Sequence, residues 1–85
     1  MRIQEQRKLF GMRLRELRLA QDISQEKLAE KAGLHRNYVG TLERGKQSPS
    51  LDAICRLAFA LDVKPSTLID RIVKKSSSQA KAAIT

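Results

Sequence analysis

The chain has 85 residues, enough for one domain with a small hydrophobic core. Hydrophobic residues make up 41% of it, a fraction too high for a disordered chain. It carries 17 Lys and Arg residues against 9 Asp and Glu, a formal net charge of +8. This excess favours a polyanionic partner, because each neutralised phosphate releases condensed counterions. The alternative is a general charge that keeps the protein soluble.

The residue content disfavours several other classes of protein. Cys55 is the single cysteine, so an internal disulfide is excluded, and its place beside Ile54 and Leu57 predicts a small buried side chain. No apolar run approaches the roughly 20 residues that span a bilayer, and the first ten residues lack a signal-peptide core, so we expect a cytoplasmic protein away from membranes. The sequence contains no catalytic or metal-ligand constellation. We therefore expect a protein that is not an enzyme and that needs no cofactor, metal ion or small-molecule ligand.

The predicted elements are all helical, because no stretch alternates apolar and polar residues between hairpin-type turns. The first helix is expected from about residue 4 or 6 to residue 20. Phe10, Leu14 and Leu17 share one face of it. Its other face is basic and carries Arg7, Lys8, Arg13 and Arg15.

Two short helices follow. Ser24 is placed to cap a helix over Gln25–Ala32, and Gly33 suits the positive φ with which a chain leaves a helix. A third helix is expected over Arg36–Arg44, led by His35 and ended by a glycine. The tight break between the two has the spacing of a helix-turn-helix.

The last predicted helices are strongly apolar on one side. Ser50 caps a fourth helix whose apolar residues recur with a helical period, namely Leu51, Ile54, Leu57, Ala58 and Leu61. A fifth begins at Pro65, a suitable first-turn residue, and carries Leu68, Ile69, Ile72 and Val73. Residues 74–85 have no apolar period, so we expect a domain over residues 1–73 and a flexible basic tail over 74–85.

The outward face of the third helix offers the chemistry of base recognition. Arg36, Asn37, Thr41 and Arg44 project from it at helical spacing. Arginine pairs with guanine, asparagine pairs with adenine, and a threonine methyl group contacts thymine. Gly40 costs about 1 kcal/mol relative to alanine in mid-helix. The glycine either lets the helix backbone sit deep in a groove, packs closely against another helix, or is simply tolerated. The alternative for the two arginines is that they are ordinary solvated helix charges.

Residues Ser24–Leu61 resemble the lambda-repressor/Cro type of helix-turn-helix domain, also called the xenobiotic-response-element family. The matching segments are SQEKLAEKAG at 24–33, LERGKQSPSL at 42–51, LAFALDV at 57–63 and the run GxRLRxLR at 11–18. The resemblance spans nearly all of residues 9–73 and implies a compact, all-α, five-helix DNA-binding domain. Within the family, AGLHRNYVGTLERG at 32–45 resembles the small controller proteins that regulate restriction–modification genes.

The resemblance also implies roles for individual residues. Arg18 and Glu43 match a buried ion pair that ties the first helix to the third. Gln25 matches a position that binds a backbone phosphate and steadies the recognition helix. The other DNA-contacting positions comprise Arg36, Asn37 and Thr41 on bases, Tyr38 and Arg44 on backbone or bases, and Lys46 and Ser48 on phosphate. Tyr38 is alternatively a half-buried surface aromatic. The chain departs from the family pattern at Asp62, where glycine is usual, and at Lys64, where a Ser or Thr cap is common.

A single module reads too few base pairs for useful specificity, so we expect a homodimer on a palindrome with recognition helices about 34 Å apart. The predicted interface is the fifth helix, through Leu68, Ile69, Ile72 and Val73, unless these residues only close the monomer core. The leading hypothesis is a sequence-specific transcriptional repressor or activator that binds double-stranded DNA. The alternative is an antitoxin-type interaction module with autoregulatory DNA binding.

Overall fold

The computed structural model describes residues 2–72. These residues form helices joined by short connections, with no strand among them. The helices are α1 (Ile3–Ala20), α2 (Gln25–Ala32), α3 (Arg36–Glu43), α4 (Leu51–Leu61) and α5 (Pro65–Leu68). The expected all-α, five-helix architecture is therefore confirmed for this part of the chain. Val73 and the predicted tail over 74–85 lie outside the described residues.

Local side-chain chemistry sets the helix ends. Ser24 and Ser50 each accept a hydrogen bond from the backbone N–H three residues later, both at 3.0 Å, and so cap α2 and α4. Gly33 leaves α2 with a φ of 67°. Asp62 leaves α4 with a φ of 56°, so this aspartate adopts the left-handed geometry that glycine usually supplies. The connection that follows each helix is thereby fixed.

The hydrophobic core lies where all five helices meet. Its largest fully buried side chains are Phe10, Leu14, Leu28, Val39, Leu42, Leu57, Leu61 and Leu68. Every helix contributes at least one of them, so the pair α2 and α3 is packed into one close-packed interior with the other helices. The orientation of α3 is consequently a property of the whole domain.

Two sequence expectations about α4 are wrong. Cys55 is exposed rather than buried, and Leu51 is 77% exposed although its spacing assigned it to the apolar stripe. The buried side of α4 is made by Ala53, Leu57, Ala58 and Leu61. At about 100° per residue, Cys55 lies almost opposite Leu57 on the helix. The apolar period was correct for Leu57, Ala58 and Leu61, but it did not reveal that Leu51 faces solvent.

The fifth helix is shorter than predicted. Regular helix ends at Leu68, Ile69 has a φ of −106° and a ψ of 9°, and a further helical turn covers residues 70–72. The carbonyl of Thr67 accepts a hydrogen bond from Nε of Arg13 at 3.1 Å at this break. In a continuous helix, the carbonyl oxygen of Thr67 would accept the backbone N–H four residues later. Here it accepts a side-chain N–H from α1 instead.

An exposed charge cluster also joins α1 to this last turn. Glu16 accepts hydrogen bonds from Arg71 at 2.7 Å and from Arg13 at 2.8 Å. The bond from Arg71 is the main reason that the pKa of Glu16 lies below its ordinary value, against the opposing effect of desolvation. Because the side chains of Glu16 and Arg71 are exposed and screened by solvent, their pair contributes little to stability.

Helices α1 and α3 make a close backbone approach at Gly11, which is buried. A Cβ atom at this position would overlap the carbonyl oxygen of Leu42 and would lie 2.6 Å from that of Glu43. Both obstacles are backbone atoms, so no side-chain rotation can make room. The missing side chain at Gly11 therefore sets the distance between α1 and the last turn of α3.

We expect Gly11→Ala to lower the free energy of unfolding by about 1–3 kcal/mol, because it overpacks this crossing. Gly40→Ala is the matched control, since its Cβ would meet only side-chain ends of Arg44 at 3.2 Å and Gln25 at 3.4 Å, which can move. Alanine's better helix propensity should make that variant neutral or slightly more stable. Urea denaturation of both variants measures the difference, and a Gly11→Ala protein as stable as wild type would contradict the account.

Candidate nucleic-acid interface

A buried ion pair joins α1 to the end of α3. Nε and Nη2 of Arg18 donate hydrogen bonds to the two carboxylate oxygens of Glu43, at 2.7 and 3.0 Å. The side chains of Arg18 and Glu43 are only 9% and 3% exposed. The hydrogen bonds to Glu43 raise the pKa of Arg18 above its ordinary value although burial acts to lower it. The guanidinium therefore stays charged inside the domain.

The same pair also fixes the start of α2. Nη1 of Arg18 donates to the carbonyl of Ile23 at 2.8 Å, and Nε2 of Gln25 donates to Oε1 of Glu43 at 3.0 Å. The Arg18–Glu43 pair thus connects α1, the α1–α2 loop and the first residue of α2 to the end of α3. The contact of Gln25 agrees with the role in steadying the recognition helix that the family resemblance implied. The contact of Ile23 was not expected from the sequence, because it depends on how the helices cross.

Beside this network, α2 and α3, together with Arg18 of α1, line a depression of about 510 Å³. Its lining residues, which we call the α2–α3 face, are Arg18, Ser24, Gln25, Glu26, Arg36, Asn37, Gly40, Thr41 and Arg44. The structure therefore brings together five of the predicted DNA-contacting residues, Gln25, Arg36, Asn37, Thr41 and Arg44. The face is polar and offers both hydrogen-bond donors and acceptors.

The start of α3 presents its first side chains to solvent. His35 is the N-terminal cap, and its Nδ1 accepts the backbone N–H of Asn37 at 3.2 Å, which confirms its predicted place at the helix start. Nη1 of Arg36 lies 3.4 Å from a carboxylate oxygen of Glu26, with 63% and 72% of the two side chains exposed. Such an exposed ion pair contributes about 0–1 kcal/mol to stability. Arg36 can therefore exchange the carboxylate of Glu26 for another acceptor, such as a base edge, at little cost.

Farther along α3, backbone and side-chain contacts fix the remaining outward residues. Oγ1 of Thr41 donates to the carbonyl of Asn37 at 2.8 Å, and Nη2 of Arg44 lies 3.5 Å from that hydroxyl. Gly40 is buried beneath the side chains of Arg44 and Gln25. In the free protein these two side chains therefore cover the backbone of Gly40, so it is not an open surface.

Three predicted contact residues lie outside the depression. Tyr38 is half-buried, and its hydroxyl accepts the backbone N–H of Ser50 at 3.3 Å, so the ring is fixed between α3 and α4. Oγ of Ser48 accepts a hydrogen bond from Nε of Arg7 at 3.0 Å, and Lys46 is exposed on the same loop. These side chains extend the polar surface along the loop between α3 and α4.

Helix α1 adds two cations to this loop that had no assigned role in the sequence. Arg7 holds Ser48, and a Cβ on Gly45 would lie 3.0 Å from Cα of Lys8, so the loop packs directly against α1. The only feature of the sequence that pointed to these two cations was the basic face of α1. Only the tertiary packing shows that this face reaches the loop next to Lys46.

The α5 residues assigned to a dimer interface are used largely inside the monomer. Leu68 is 1% exposed and belongs to the core, whereas its assignment to a dimer interface stays a prediction. Ile69 and Ile72 are partly buried and pack against the same core. The alternative, that these residues close the monomer core, is correct for Leu68, and Val73 lies outside the described residues.

Other kinds of site find no support within residues 2–72. No group of His, Cys, Asp and Glu side chains in this range is placed to hold a metal ion. None of its helices combines the length and the apolar content that crossing a bilayer requires. The α2–α3 face is therefore the strongest candidate site in the described part of the chain.

The packing of α2 against α3 and the polar face that they share define a helix-turn-helix protein. A helix-turn-helix family model matches residues 14–68, and the chain belongs to this family. Its members are DNA-binding regulators, so the expectation that the chain is not an enzyme follows from its family.

Individual relatives indicate a narrower class of protein within this family. The restriction–modification controller protein C.AhdI from Aeromonas hydrophila is 53% identical, with a TM-score of 0.72 over 73% of this chain and 94% of that one. Control protein C.BamHI from Bacillus amyloliquefaciens is 46% identical over 65 residues, which cover 75% of this chain and 80% of that protein. The HTH-type transcriptional regulator SinR from Bacillus subtilis (strain 168) is 35% identical over 63 residues, which cover 73% of this chain and 57% of that protein. The resemblance to controller proteins is thereby confirmed.

We expect Glu43→Gln to lower the free energy of unfolding by about 3–5 kcal/mol, because it leaves the buried charge of Arg18 without its counter-charge. Glu30→Gln is the matched control. It removes the same charge from an exposed pair with Lys27, where the atoms are 3.6 Å apart, and should change stability by less than about 1 kcal/mol. Chemical denaturation followed by circular dichroism compares the two. Equal, small losses would show that the buried pair does not hold the frame.

Proposed function

We propose that the chain is a sequence-specific regulator of transcription that binds duplex DNA as a homodimer and controls the genes of a restriction–modification system. The observation that carries this proposal is the α2–α3 face, where Arg36, Asn37 and Thr41 share the exposed side of α3. A recognition helix needs chemically varied groups at its surface and a rigid support beneath them. The similarity to C.AhdI and C.BamHI supports the restriction–modification assignment.

The proposed division of roles follows from donor and acceptor chemistry. Arg36 reads guanine through two parallel N–H donors, Asn37 reads adenine through its amide, and the Thr41 methyl group contacts thymine. One amide N–H of Gln25 is bonded to Glu43, which leaves the second for a backbone phosphate. Tyr38 and Arg44 are proposed to contact the DNA backbone or bases. Lys46 and Ser48 are proposed to contact backbone phosphates.

A homodimer doubles this readout on a palindrome, with two recognition helices about 34 Å apart. Two-fold symmetry in the protein then matches the symmetry of the operator. The relatives are control proteins and transcriptional regulators, which favours a regulator over an antitoxin-type module. Because the proposed ligand is duplex DNA, we propose the bacterial cytoplasm as the compartment in which the protein works.

We expect Arg36→Ala to cost about 1–3 kcal/mol of binding free energy on the cognate operator and to relax specificity at one base position. Lys46→Ala is the control and should weaken binding to cognate and random duplexes alike. It should also reduce the slope of the logarithm of the binding constant against the logarithm of the salt concentration by about one. Titrations at several salt concentrations with both duplexes separate the two patterns. An Arg36→Ala protein that lost the same affinity on both duplexes would show that Arg36 does not read a base.

A further inference from the structure

An exposed hydrogen bond joins α1 to the loop between α3 and α4. Nε of Arg7 donates to Oγ of Ser48 at 3.0 Å, although the two residues are 41 positions apart in the sequence. A serine hydroxyl has one proton to donate and lone pairs that accept. Because Arg7 occupies an acceptor site, the hydroxyl proton of Ser48 remains for another acceptor, and no residue in the range 2–72 takes it. Arg7 and Ser48 therefore present a set of N–H and O–H donors to the solvent.

The charge of Arg7 is not compensated within the described residues. Other arginines in this part of the chain lie 2.7–3.7 Å from a carboxylate oxygen, namely Arg13, Arg18, Arg36, Arg56 and Arg71. Arg7 has a neutral hydroxyl as its partner instead. The N–H donors of its Nη1 and Nη2 make no hydrogen bond to residues 2–72, so an anion with two acceptor oxygens can use them.

Packing fixes the place of the Arg7–Ser48 pair before any ligand arrives. Arg7 is half-buried and lines a depression of about 190 Å³ together with Phe10, Ile54, Ser48 and Pro49. An arginine stem can lie along such an apolar surface while its guanidinium stays at the boundary with water. Pro49 restricts the backbone of Ser48 to an extended conformation. Donors that are held in this way lose little conformational entropy when an anion binds.

The surroundings of the pair are basic and adjoin the end of α3. Lys8 is exposed, and a Cβ on Gly45 would lie 3.0 Å from its Cα, so the loop lies directly on α1. Lys46 is also exposed, and its backbone N–H donates to the carbonyl of Thr41 at 3.2 Å. Neither of these lysines forms an ion pair with a carboxylate of residues 2–72, unlike Lys27. Positive charge therefore continues from the last turn of α3 to α1.

We propose that Arg7 is a phosphate-binding residue of the DNA interface, which extends that interface from α2, α3 and the following loop onto α1. The Nη groups of Arg7 and the hydroxyl of Ser48 donate to the two nonbridging oxygens of one backbone phosphate. This contact rests on the proposed function, because duplex DNA is the ligand that carries the phosphate. It conveys no base sequence, so it sets the position and orientation of the domain on the duplex.

The salt dependence of binding tests this contact through Arg7→Gln, which removes the charge and keeps an N–H donor. Each neutralised phosphate adds about 0.9 to the slope of the logarithm of the binding constant against that of the salt concentration, or about 3–4-fold in affinity between roughly 50 and 200 mM salt. We expect Arg7→Gln to lower the slope by about 0.9 for each bound chain. Its affinity at low salt should fall by the same factor on the cognate operator and on a random duplex. Fluorescence-anisotropy titrations of the full chain measure both quantities.

Arg56→Gln is the matched control. It removes the same charge by the same substitution from α4, where Arg56 is 52% exposed and lies outside the α2–α3 face. Its slope should equal that of wild type, which separates a local contact from a loss of net charge. Arg7→Lys restores the charge and should recover the wild-type slope, and circular dichroism of each variant verifies the fold.

Ser48→Ala separates phosphate binding by Arg7 from mere support of the loop. Because Ser48 is uncharged, its loss should weaken binding to both duplexes without changing the slope. An Arg7 that only held Ser48 would give the same pattern, so an unchanged slope in Arg7→Gln would overturn the proposal. An equal fall in slope for Arg56→Gln would also overturn it, since net charge alone would explain the effect. So would an Arg7→Lys slope as low as that of Arg7→Gln.

Failure of the proposed function has a different signature. A wild type that does not bind duplex DNA, or that binds it without salt dependence, would overturn the proposed function and the Arg7 contact together. A wild type that prefers its operator to a random duplex, with an Arg7→Gln variant of unchanged slope, would overturn the Arg7 contact alone.

Discussion

A buried carboxylate at the end of α3 is the point on which the proposed DNA-binding face depends. Glu43 accepts hydrogen bonds from Arg18 on α1 and from Gln25 at the start of α2, within about 3 Å of each. An ion pair of this kind adds little net stability compared with apolar packing, but losing one partner strands the other charge. The arrangement therefore acts as a constraint on geometry: α1, α2 and α3 keep one relative orientation, or a buried charge is left unpaired.

Close backbone packing and the ion pair support each other. Gly11 and Arg18 are seven residues apart and so lie on the same side of α1. The absence of a Cβ at Gly11 lets α1 approach the carbonyl oxygens at the end of α3, and that approach brings Arg18 onto Glu43. The outward residues of α3 inherit this rigidity, because the helix that carries them is held at its last turn.

Sequence reasoning succeeded where the determining chemistry is local. The caps at Ser24 and Ser50, and the shared outward face of Arg36 and Asn37, follow from residue types at fixed spacings. The ion pair was implied by family resemblance and is formed. Features that depend on how helices cross were missed or wrong. A single helical period did not separate the buried side of α4 from the side that carries Cys55, and it did not show that the core already uses Leu68.

The polar face on α2 and α3 is the surface proposed to bind DNA, and the central claim is that a symmetric pair of α3 helices reads base edges. Selection of bound fragments from random-sequence duplexes tests this claim most directly. We expect a palindrome whose half-sites are centred about 10–10.5 base pairs, or a multiple of that, apart. Recovery of fragments without a shared sequence, or of one unpaired half-site, would contradict the claim.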